Sequence, residues 1–292
     1  PWKTAPEKPS ARFRQIIKLV EETFMAFSLS SFFDRKLTVS HFKEASAKLS
    51  QPLTAVLLSD LHGTMYGQKQ ECLLEAIRGQ SPDLILMAGD MADPKVPLEN
   101  FLCLLDGLGA DTPSFYVSGN HEQWTRDMPR LERSFQSRGV CVLKGSGVSI
   151  EIKGQRLLIC GVDDPHAFTL SHHSLSLPPE WKQQIHSCRA LAASYPDTYR
   201  ILLSHRPEPV AYYRDSRFDL VAAGHAHGGQ VRLPFCPGGL FAPHQGFFPR
   251  YAGGQYHLGS SSLIVSRGLC LNRLPRICNP PELVVMDLLP AI

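Results

Sequence analysis

Five short apolar segments of strand composition end in the same way, and this constrains the fold of the chain more than any other feature. The segments begin at Ala55, Leu84, Phe115, Ile201 and Leu220, and each leads to an Asp, Asn or His. In three of them a glycine, which permits a tight turn, comes directly before that residue. Sites in open α/β sheets form outside the carboxyl ends of the strands. We therefore expect these polar residues to meet in one pocket.

Amphipathic segments of helix length separate the apolar segments. Helices are predicted over residues 69–79, 98–108, 127–137 and 180–193, and further strands within 140–160, 230–233, 262–265 and 283–288. Strands that alternate with helices are typical of βαβ units. The pattern thus predicts an α/β fold with a mostly parallel core that is covered on both faces.

The first fifty residues of the 292-residue chain differ from the rest. From Phe13 onward, apolar residues recur at three- and four-residue steps, which predicts an amphipathic helix with basic residues at its start. Such a helix either packs on the main domain or lies on a membrane surface. No linker divides the remaining sequence. We therefore predict an N-terminal appendage over residues 1–50 and one domain over residues 51–292.

Composition and charge argue against several classes of function. Thirty Lys and Arg against 27 Asp and Glu leave a net charge of +3, so we expect no nucleic-acid partner. No stretch approaches about 18 consecutive apolar residues, the length of a membrane span. The eight Cys form no CxxC pair, which favours reduced thiols. We expect a cytoplasmic or peripheral membrane location; because the chain begins at Pro1, a secreted or anchored form stays open.

The residues that follow the apolar segments form an ordered set of oxygen and imidazole donors. In chain order they are Asp60-Leu-His62, Asp90-Met-Ala-Asp93, Asn120-His121-Glu122, His205 and His225-Ala-His227. No Cys lies among them, which disfavours a closed thiolate zinc site. Each short motif is weak alone, because Asp-x-His arises by chance; Asp164-Pro-His166 is interpreted as such a chance occurrence. The ordered combination carries the specificity.

This set resembles the calcineurin-like metallophosphoesterase family, motif by motif, from Asp60 to His227. The stretch Gly224-His-Ala-His-Gly-Gly-Gln is similar to a bacterial phosphodiesterase-like subgroup that usually reads Gly-His-Thr-His-Gly-Gly-Gln. Ala226 replaces that Thr, and Cys270 stands where a Gly is common, but neither is a ligand position. The resemblance runs from about Leu53 to the C-terminus. It implies a two-sheet β-sandwich core flanked by helices in four layers.

The resemblance also implies a dinuclear metal centre. One ion would be held by Asp60, His62, Asp90 and His227, and the other by Asp90, Asn120, His205 and His225, with Asp90 shared. Two ions about 3.5–4 Å apart generate a bridging hydroxide and clamp both oxygens of an in-line displacement at phosphorus. The mixed donor set suits Mn, Fe, Zn or Co, with Mn favoured in vitro.

The family pattern gives His121 a role other than metal binding. We expect it to be the general acid for the leaving oxygen, or a cation that stabilises charge in the transition state. Asp93 would hydrogen-bond to His121 and keep it oriented and protonated, although a helix N-cap is an alternative for this carboxylate. Glu122 would hold the metal-binding residues in position without itself binding metal.

We expect a phosphodiesterase or pyrophosphohydrolase that acts on a small-molecule or lipid-linked phosphoester. Protein phosphatases of the superfamily typically follow the second motif with Arg-Gly, whereas this chain has Pro94-Lys95. A phosphomonoesterase, or a non-catalytic metal-bearing scaffold, is the alternative. The N-terminal helix and the aromatic segment 235–251 would suit a partly apolar substrate. Peripheral membrane contact would be made through the N-terminal helix. Four arginines are candidate phosphate contacts, though surface or structural roles are simpler for each: Arg206, Arg232, Arg250 and Arg267. The sequence does not indicate an oligomeric state.

Overall fold

The computed structural model describes residues 35–125, 127–169, 176–214, 216–232, 238–271 and 276–291. The strands in these ranges form two six-stranded sheets and one two-stranded hairpin. The helix predicted from Phe13 lies outside the described residues.

The first sheet is built mainly from the N-terminal half of the chain. Its spatial order is β1 (Thr38–Ser46), β14 (Glu282–Pro290), β2 (Leu53–Leu58), β3 (Leu84–Ala88), β4 (Ser114–Val117) and β5 (Val140–Val142). The strands from β2 to β5 are parallel. The C-terminal strand β14 enters between β1 and β2, parallel to the first and antiparallel to the second.

The second sheet follows in the C-terminal half. Its spatial order is β12 (Gly254–Leu258), β13 (Ser261–Val265), β9 (Leu220–Ala223), β8 (Tyr199–Leu203), β7 (Gln155–Gly161) and β6 (Ser146–Ile152). The four central strands are parallel, and the edge strands β12 and β6 are antiparallel to their neighbours. The hairpin consists of β10 (Phe241–Ala242) and β11 (Gly246–Phe247).

The described α-helices are α1 (Glu71–Arg78), α2 (Glu99–Leu108), α3 (Asn120–Gln123), α4 (Met128–Gln136), α5 (Pro179–Ala193) and α6 (Val210–Tyr213). The four helices predicted from periodicity are confirmed, with ends displaced by about one or two residues. Local chemistry sets the start of α4, where the Asp127 carboxylate accepts a hydrogen bond from the Arg130 N–H at 3.1 Å.

Three apolar clusters define the layers. Leu57 of the first sheet and Ile159 of the second belong to the cluster between the sheets. Helices α1, α2 and α4 cover the outer face of the first sheet. On the outer face of the second sheet, Trp181 and Ile185 of α5 are fully buried. The four-layer sandwich is therefore confirmed. The alternation of strands and helices along the sequence predicts parallel strands that are buried on both faces. It does not predict that these strands form two separate sheets.

Two local features differ from the sequence expectations. Strand β1 was not predicted; it lies within the segment assigned to the appendage, and nine of its residues pair with β14. The domain boundary at residue 50 stays a prediction. The strand predicted over 230–233 is wrong for its described part, where Val231 makes only an isolated bridge to Ile277. The described cysteines are free thiols, and no described helix has the length and apolar character needed to cross a bilayer.

Candidate metal centre

The candidate ligands lie where parallel strands end at one edge of the sandwich. Strands β2, β3 and β4 lead to Asp60, Asp90 and Asn120, and the neighbouring strands β8 and β9 lead to His205 and His225. Five of the seven have backbone φ angles between 47° and 67°, a region that residues other than glycine rarely adopt: Asp60, His62, Asp90, His225 and His227. Each costs about 1 kcal/mol. Such strain is typical of functional sites.

Close glycine contacts pack the ligand-bearing loops against one another at this edge, both between the two sheets and within the first sheet. A Cβ atom at Gly224, just before His225, would lie 1.6 Å from Ser59 Oγ and 2.5 Å from Asp60 Oδ2. A Cβ atom at Gly119, before Asn120, would lie 2.2 Å from Asp90 Oδ1. Only glycine fits at either position, which explains why it precedes these ligands.

The first donor group consists of Asp60, His62 and His227, whose ligand atoms lie within 4.8 Å of one another. His227 Nε2 is 3.5 Å from Asp60 Oδ1, and the imidazole rings of His62 and His227 stack with centroids 5.3 Å apart. The His225 N–H donates to Asp60 Oδ2 at 2.9 Å, which holds the carboxylate in place. The group can hold one cation with oxygen and nitrogen donors.

The second donor group consists of Asp90, His205 and His225, again within 4.8 Å. His205 Nε2 lies 3.3 Å from Asp90 Oδ2, 3.1 Å from His225 Nδ1 and 3.2 Å from Asn120 Oδ1. The Nδ1–H of His205 donates to the Ala88 carbonyl at 2.7 Å, which leaves Nε2 to act as the ligand atom. Four donor atoms therefore surround one small volume.

Asp90 lies between the two groups. Its Oδ2 is 3.7 Å from His62 Nε2 and 3.3 Å from His205 Nε2, while its Oδ1 accepts a hydrogen bond from the His121 N–H at 2.7 Å. Burial alone would raise the pKa of Asp90, but His205, followed by His62 and His121, holds that pKa well below its usual value. The carboxylate is thus ionised and positioned to face a cation on either side.

The imidazoles of the site differ in charge. Burial opposes protonation of His205, but the Asp90 carboxylate raises its pKa to about 10. Burial lowers the pKa of His227 to about 3, and burial followed by the charge of His205 lowers the pKa of His225 well below its usual value. Histidine binds metal as the neutral imidazole, so a metal ion at the second group would take the place of the proton on His205.

His121 and Asp93 come together as predicted from the family pattern. His121 Nδ1 lies 2.8 Å from Asp93 Oδ2, and Asp93 Oδ1 accepts from the Lys95 N–H at 2.9 Å in a turn that precedes α2. Asp93 is therefore not the N-cap of that helix, whose cap is Leu98. Burial lowers the pKa of His121, although Asp90 and Asp93 raise it. This net direction runs against a permanently protonated His121, and its acid role stays a prediction.

Glu122 supports the loops that carry the ligands. Its buried carboxylate accepts from the N–H groups of Asp90 and Gly119 through Oε2, at 2.9 and 2.8 Å, and from the Ala92 N–H through Oε1 at 2.8 Å. Burial and then the charge of Asp90 raise its pKa to about 7. The three bonds tie the end of β3 to the end of β4.

A cavity of about 820 Å³ opens above the donor groups. It is lined by Asp90, Asn120, His121, Trp124, His166, His225, His227, Phe241, Pro243 and His244. An apolar groove of about 380 Å³ shares part of this wall and reaches the buried Arg276. The walls are more apolar than the floor, so a bound substrate would meet aromatic surface beside the polar centre.

Sequence reasoning missed several residues of this cavity. The motif Asp164-Pro-His166, interpreted as a chance occurrence, contributes His166 to the wall, and Arg206 donates to both oxygens of Asp164 at 2.7 and 2.9 Å. His244 was also missed; its Nδ1 lies 3.0 Å from His225 Nε2. His166 follows the apolar strand β7 by five residues, a signal that could have pointed to it, whereas His244 lies in the turn of the hairpin, after the two-residue strand β10.

The other candidate phosphate arginines lie in different settings. Arg267 pairs with Glu282 at 2.9 Å, and the Arg250 guanidinium lies over the Tyr251 ring, 5.5 Å from its centroid. Arg232 donates to the Gly228 carbonyl at 3.4 Å. In the described part of the chain, none of the four predicted arginines lines the 820 Å³ cavity. A structural or surface role therefore explains these arginines more simply than contact with a substrate phosphate.

A two-sheet α/β sandwich that gathers carboxylates and imidazoles at its strand ends has the donors of a metal-dependent hydrolase. Residues 53–229 match the family described as calcineurin-like phosphoesterase, and the chain belongs to that family. The resemblance seen in the sequence is thereby confirmed at the level of the family.

Individual relatives agree with this assignment. The uncharacterized protein YpbG of Bacillus subtilis is 27% identical over 259 residues, which cover 85% of this chain and 88% of that protein. The protein named phosphodiesterase YaeI of Escherichia coli is 27% identical over 257 residues and 86% of each chain. Among solved structures, sulfate thiohydrolase SoxB of Thermus thermophilus shares the fold, with a TM-score of 0.50 and 14% identity over 80% of this chain and 56% of that one.

Proposed function

We propose that this protein is a dinuclear phosphoesterase that hydrolyses phosphodiesters or pyrophosphates. The position of Asp90 carries the proposal, because one carboxylate oxygen faces His62 at 3.7 Å and His205 at 3.3 Å. A carboxylate between two donor groups can serve both cations of a two-metal site.

The residues fit two ions of mixed nitrogen and oxygen preference. The first would be held by Asp60, His62, Asp90 and His227, and the second by Asp90, Asn120, His205 and His225. When bound, the ions supply Lewis acidity toward phosphate oxygens and activate the attacking water. Manganese, iron or zinc suits this donor set, and manganese is the first to test in vitro.

His121 would act on the leaving group. It lines the cavity beside the donor groups, and Asp93 Oδ2 at 2.8 Å from its Nδ1 orients the ring. Its Nε2 can then give a proton to the departing oxygen, or its charge can stabilise that oxygen in the transition state. Asp93 is the positioning residue in this pair.

A diester or pyrophosphate substrate is supported by three observations. The Escherichia coli relative is named a phosphodiesterase. The Gly224-His-Ala-His-Gly-Gly-Gln stretch resembles the phosphodiesterase-like subgroup. The 820 Å³ cavity has room for groups on both sides of a phosphate, and Trp124, Phe241 and Pro243 in its wall suit a partly apolar or lipid-linked one. A phosphomonoester carries an organic group on one side of the phosphate only, so a phosphomonoesterase would not need room in the cavity for a second group.

Hydrolysis assays beside elemental analysis test the proposal. The purified chain, loaded with Mn, is expected to bind two ions and to hydrolyse bis(p-nitrophenyl) phosphate or a lipid pyrophosphate faster than matched monoesters. Asp90→Asn should lose metal and activity together, whereas Asp106→Asn, an exposed carboxylate on α2, should keep both. One bound ion in the active protein would refute the dinuclear centre. Turnover of monoesters alone would refute the substrate class, and no turnover with both ions bound would favour the scaffold.

A further inference from the structure

The hairpin of β10 and β11 carries exposed aromatic side chains at the mouth of the cavity. Phe247 and Phe248 are 72% and 69% exposed, the highest values among the large apolar side chains of the described residues. Phe241, 46% exposed, contacts Phe247 edge-on with ring centroids 5.5 Å apart, and it also lines the cavity. An exposed apolar cluster beside a site marks a surface that binds something.

The backbone fixes this hairpin to the loop that carries His227. The Leu240 N–H donates to the carbonyls of Gly229 and Val231 at 2.9 and 2.8 Å, and the Phe248 N–H donates to Leu240 at 2.8 Å. Gly229 packs directly on Gly239, since a Cβ atom at Gly229 would lie 2.3 Å from Gly239 Cα. The phenylalanines are therefore held outward by a supported backbone.

The segment around the hairpin has one sign of charge. Between Asp219 and Glu282 the sequence contains no Asp, Glu or Lys and five Arg. Exposed Arg250 lies three residues after the end of β11. Of these arginines, Arg250 is exposed beside the hairpin, where it would attract anionic lipid headgroups, and no acidic residue of this segment would oppose it.

A second arginine, Arg232, has no carboxylate partner among the described residues. A Cβ atom at Gly253 would lie 3.6 Å from Arg232 Nη1 and 2.5 Å from Arg267 Cγ, so both side chains lie against this glycine. Arg267 itself pairs with Glu282. Burial, followed by the positive charge of Arg267, lowers the pKa of Arg232. An anion near Arg232 would relieve this repulsion.

We propose that Phe247, Phe248 and Arg250 form an interfacial anchor that seats the mouth of the cavity on an anionic lipid bilayer. Aromatic side chains would enter the boundary between headgroups and acyl chains, and the arginine would meet the headgroup phosphates. Because Phe241 belongs to both the hairpin and the cavity wall, a phosphoester embedded in the bilayer could reach the donor groups without leaving the surface. This assignment of a membrane substrate rests on the proposed function, whereas the anchor itself does not.

Vesicle flotation with the full chain tests the anchor. Wild-type protein is expected to float with phosphatidylcholine vesicles that contain phosphatidylglycerol, and less with phosphatidylcholine alone. The double variant Phe247→Ser, Phe248→Ser should weaken binding at least about tenfold, since two large apolar side chains are lost. Arg250→Gln should reduce the preference for anionic vesicles. Val148→Ser, a partly exposed site on the edge strand β6 of the second sheet, is the matched control and should float as wild type does.

Hydrolysis of soluble bis(p-nitrophenyl) phosphate, measured beside flotation, separates the anchor from the proposed function. Wild type, the double variant, Arg250→Gln and Val148→Ser all keep the catalytic centre, so they should hydrolyse this soluble substrate at the same rate. If the double variant folds poorly, Phe247→Trp replaces it, and brominated lipid should quench its fluorescence beyond that of wild type. The anchor is refuted if wild-type protein does not float with either vesicle, if the double variant floats equally, or if no extra quenching occurs. Flotation without hydrolysis would refute the proposed function and leave the anchor standing.

Discussion

Replacing Glu122 by Gln tests whether its carboxylate holds the metal-binding loops together. The two oxygens of Glu122 accept three backbone N–H groups at 2.8–2.9 Å in a fully buried setting. Gln keeps a single carbonyl oxygen, so its NH₂ group must face at least one of these donors. One buried, unsatisfied N–H costs about 1–3 kcal/mol. We therefore expect the free energy of unfolding to fall by about 2 kcal/mol and the melting temperature by about 4–8 °C.

Urea and thermal unfolding at pH 8, above the raised pKa of Glu122, measure this loss. Glu132→Gln is the matched control, because Glu132 forms a partly exposed ion pair with Lys144 that is worth less than about 1 kcal/mol. Glu122→Ala should lose more than Glu122→Gln, since it leaves three donors without an acceptor. If Glu122→Gln unfolds within about 0.5 kcal/mol of wild type, as ordinary surface substitutions do, the tie between the two loops is not a stabilising feature.

Three further substitutions have defined outcomes. His121→Gln should keep both metals but lose rate about 10²–10⁴-fold, chiefly for poor leaving groups, and an equal loss for all leaving groups in a linear free-energy series would contradict the acid role. Gly224→Ala should lose metal by elemental analysis, because its Cβ would lie 1.6 Å from Ser59 Oγ and 2.5 Å from Asp60 Oδ2; unchanged metal content would contradict this. Trp181→Ala should cost about 3–5 kcal/mol in urea unfolding, since the side chain is fully buried in the second outer layer, and a loss below 1 kcal/mol would contradict that packing.

The donor groups could be foreseen because buried parallel strands give an unmistakable sequence signal. A strand such as β3 is apolar at every position, and the polar residue at its end stands out against that background. Strand β1 gave no such signal. Every second residue of β1 is exposed, it includes His41, Lys43 and Glu44, and its partner among the described strands, β14, is far away in sequence. Edge strands of this kind are specified by pairing rather than by composition.

The cavity wall was harder to foresee for a different physical reason. His166 lies in a short 3₁₀ helix and His244 in the turn of the hairpin, and neither segment is long enough for a period of two or 3.6 residues to link a side chain to a direction in space. The Asp164 motif also follows an apolar strand, β7, but it looked like a chance match because Asp-x-His arises by chance in a chain of this composition. Its meaning depends on Arg206, which reaches Asp164 from the end of β8. Such contacts follow from tertiary structure alone.

The place of β14 in the first sheet has a consequence for the order of events during synthesis. Strand β1 pairs only with β14 among the described strands, and their contact spans Thr38 and Pro281, which are 243 residues apart. When strands β2 to β5 have emerged from the ribosome, β14 has not yet been synthesised. The β2 edge of the sheet therefore has no strand paired to it at that stage. Domains usually begin to fold from the N-terminal side as the chain emerges. Here the β2 edge must stay unpaired, and prone to association, until the C-terminal strand closes it.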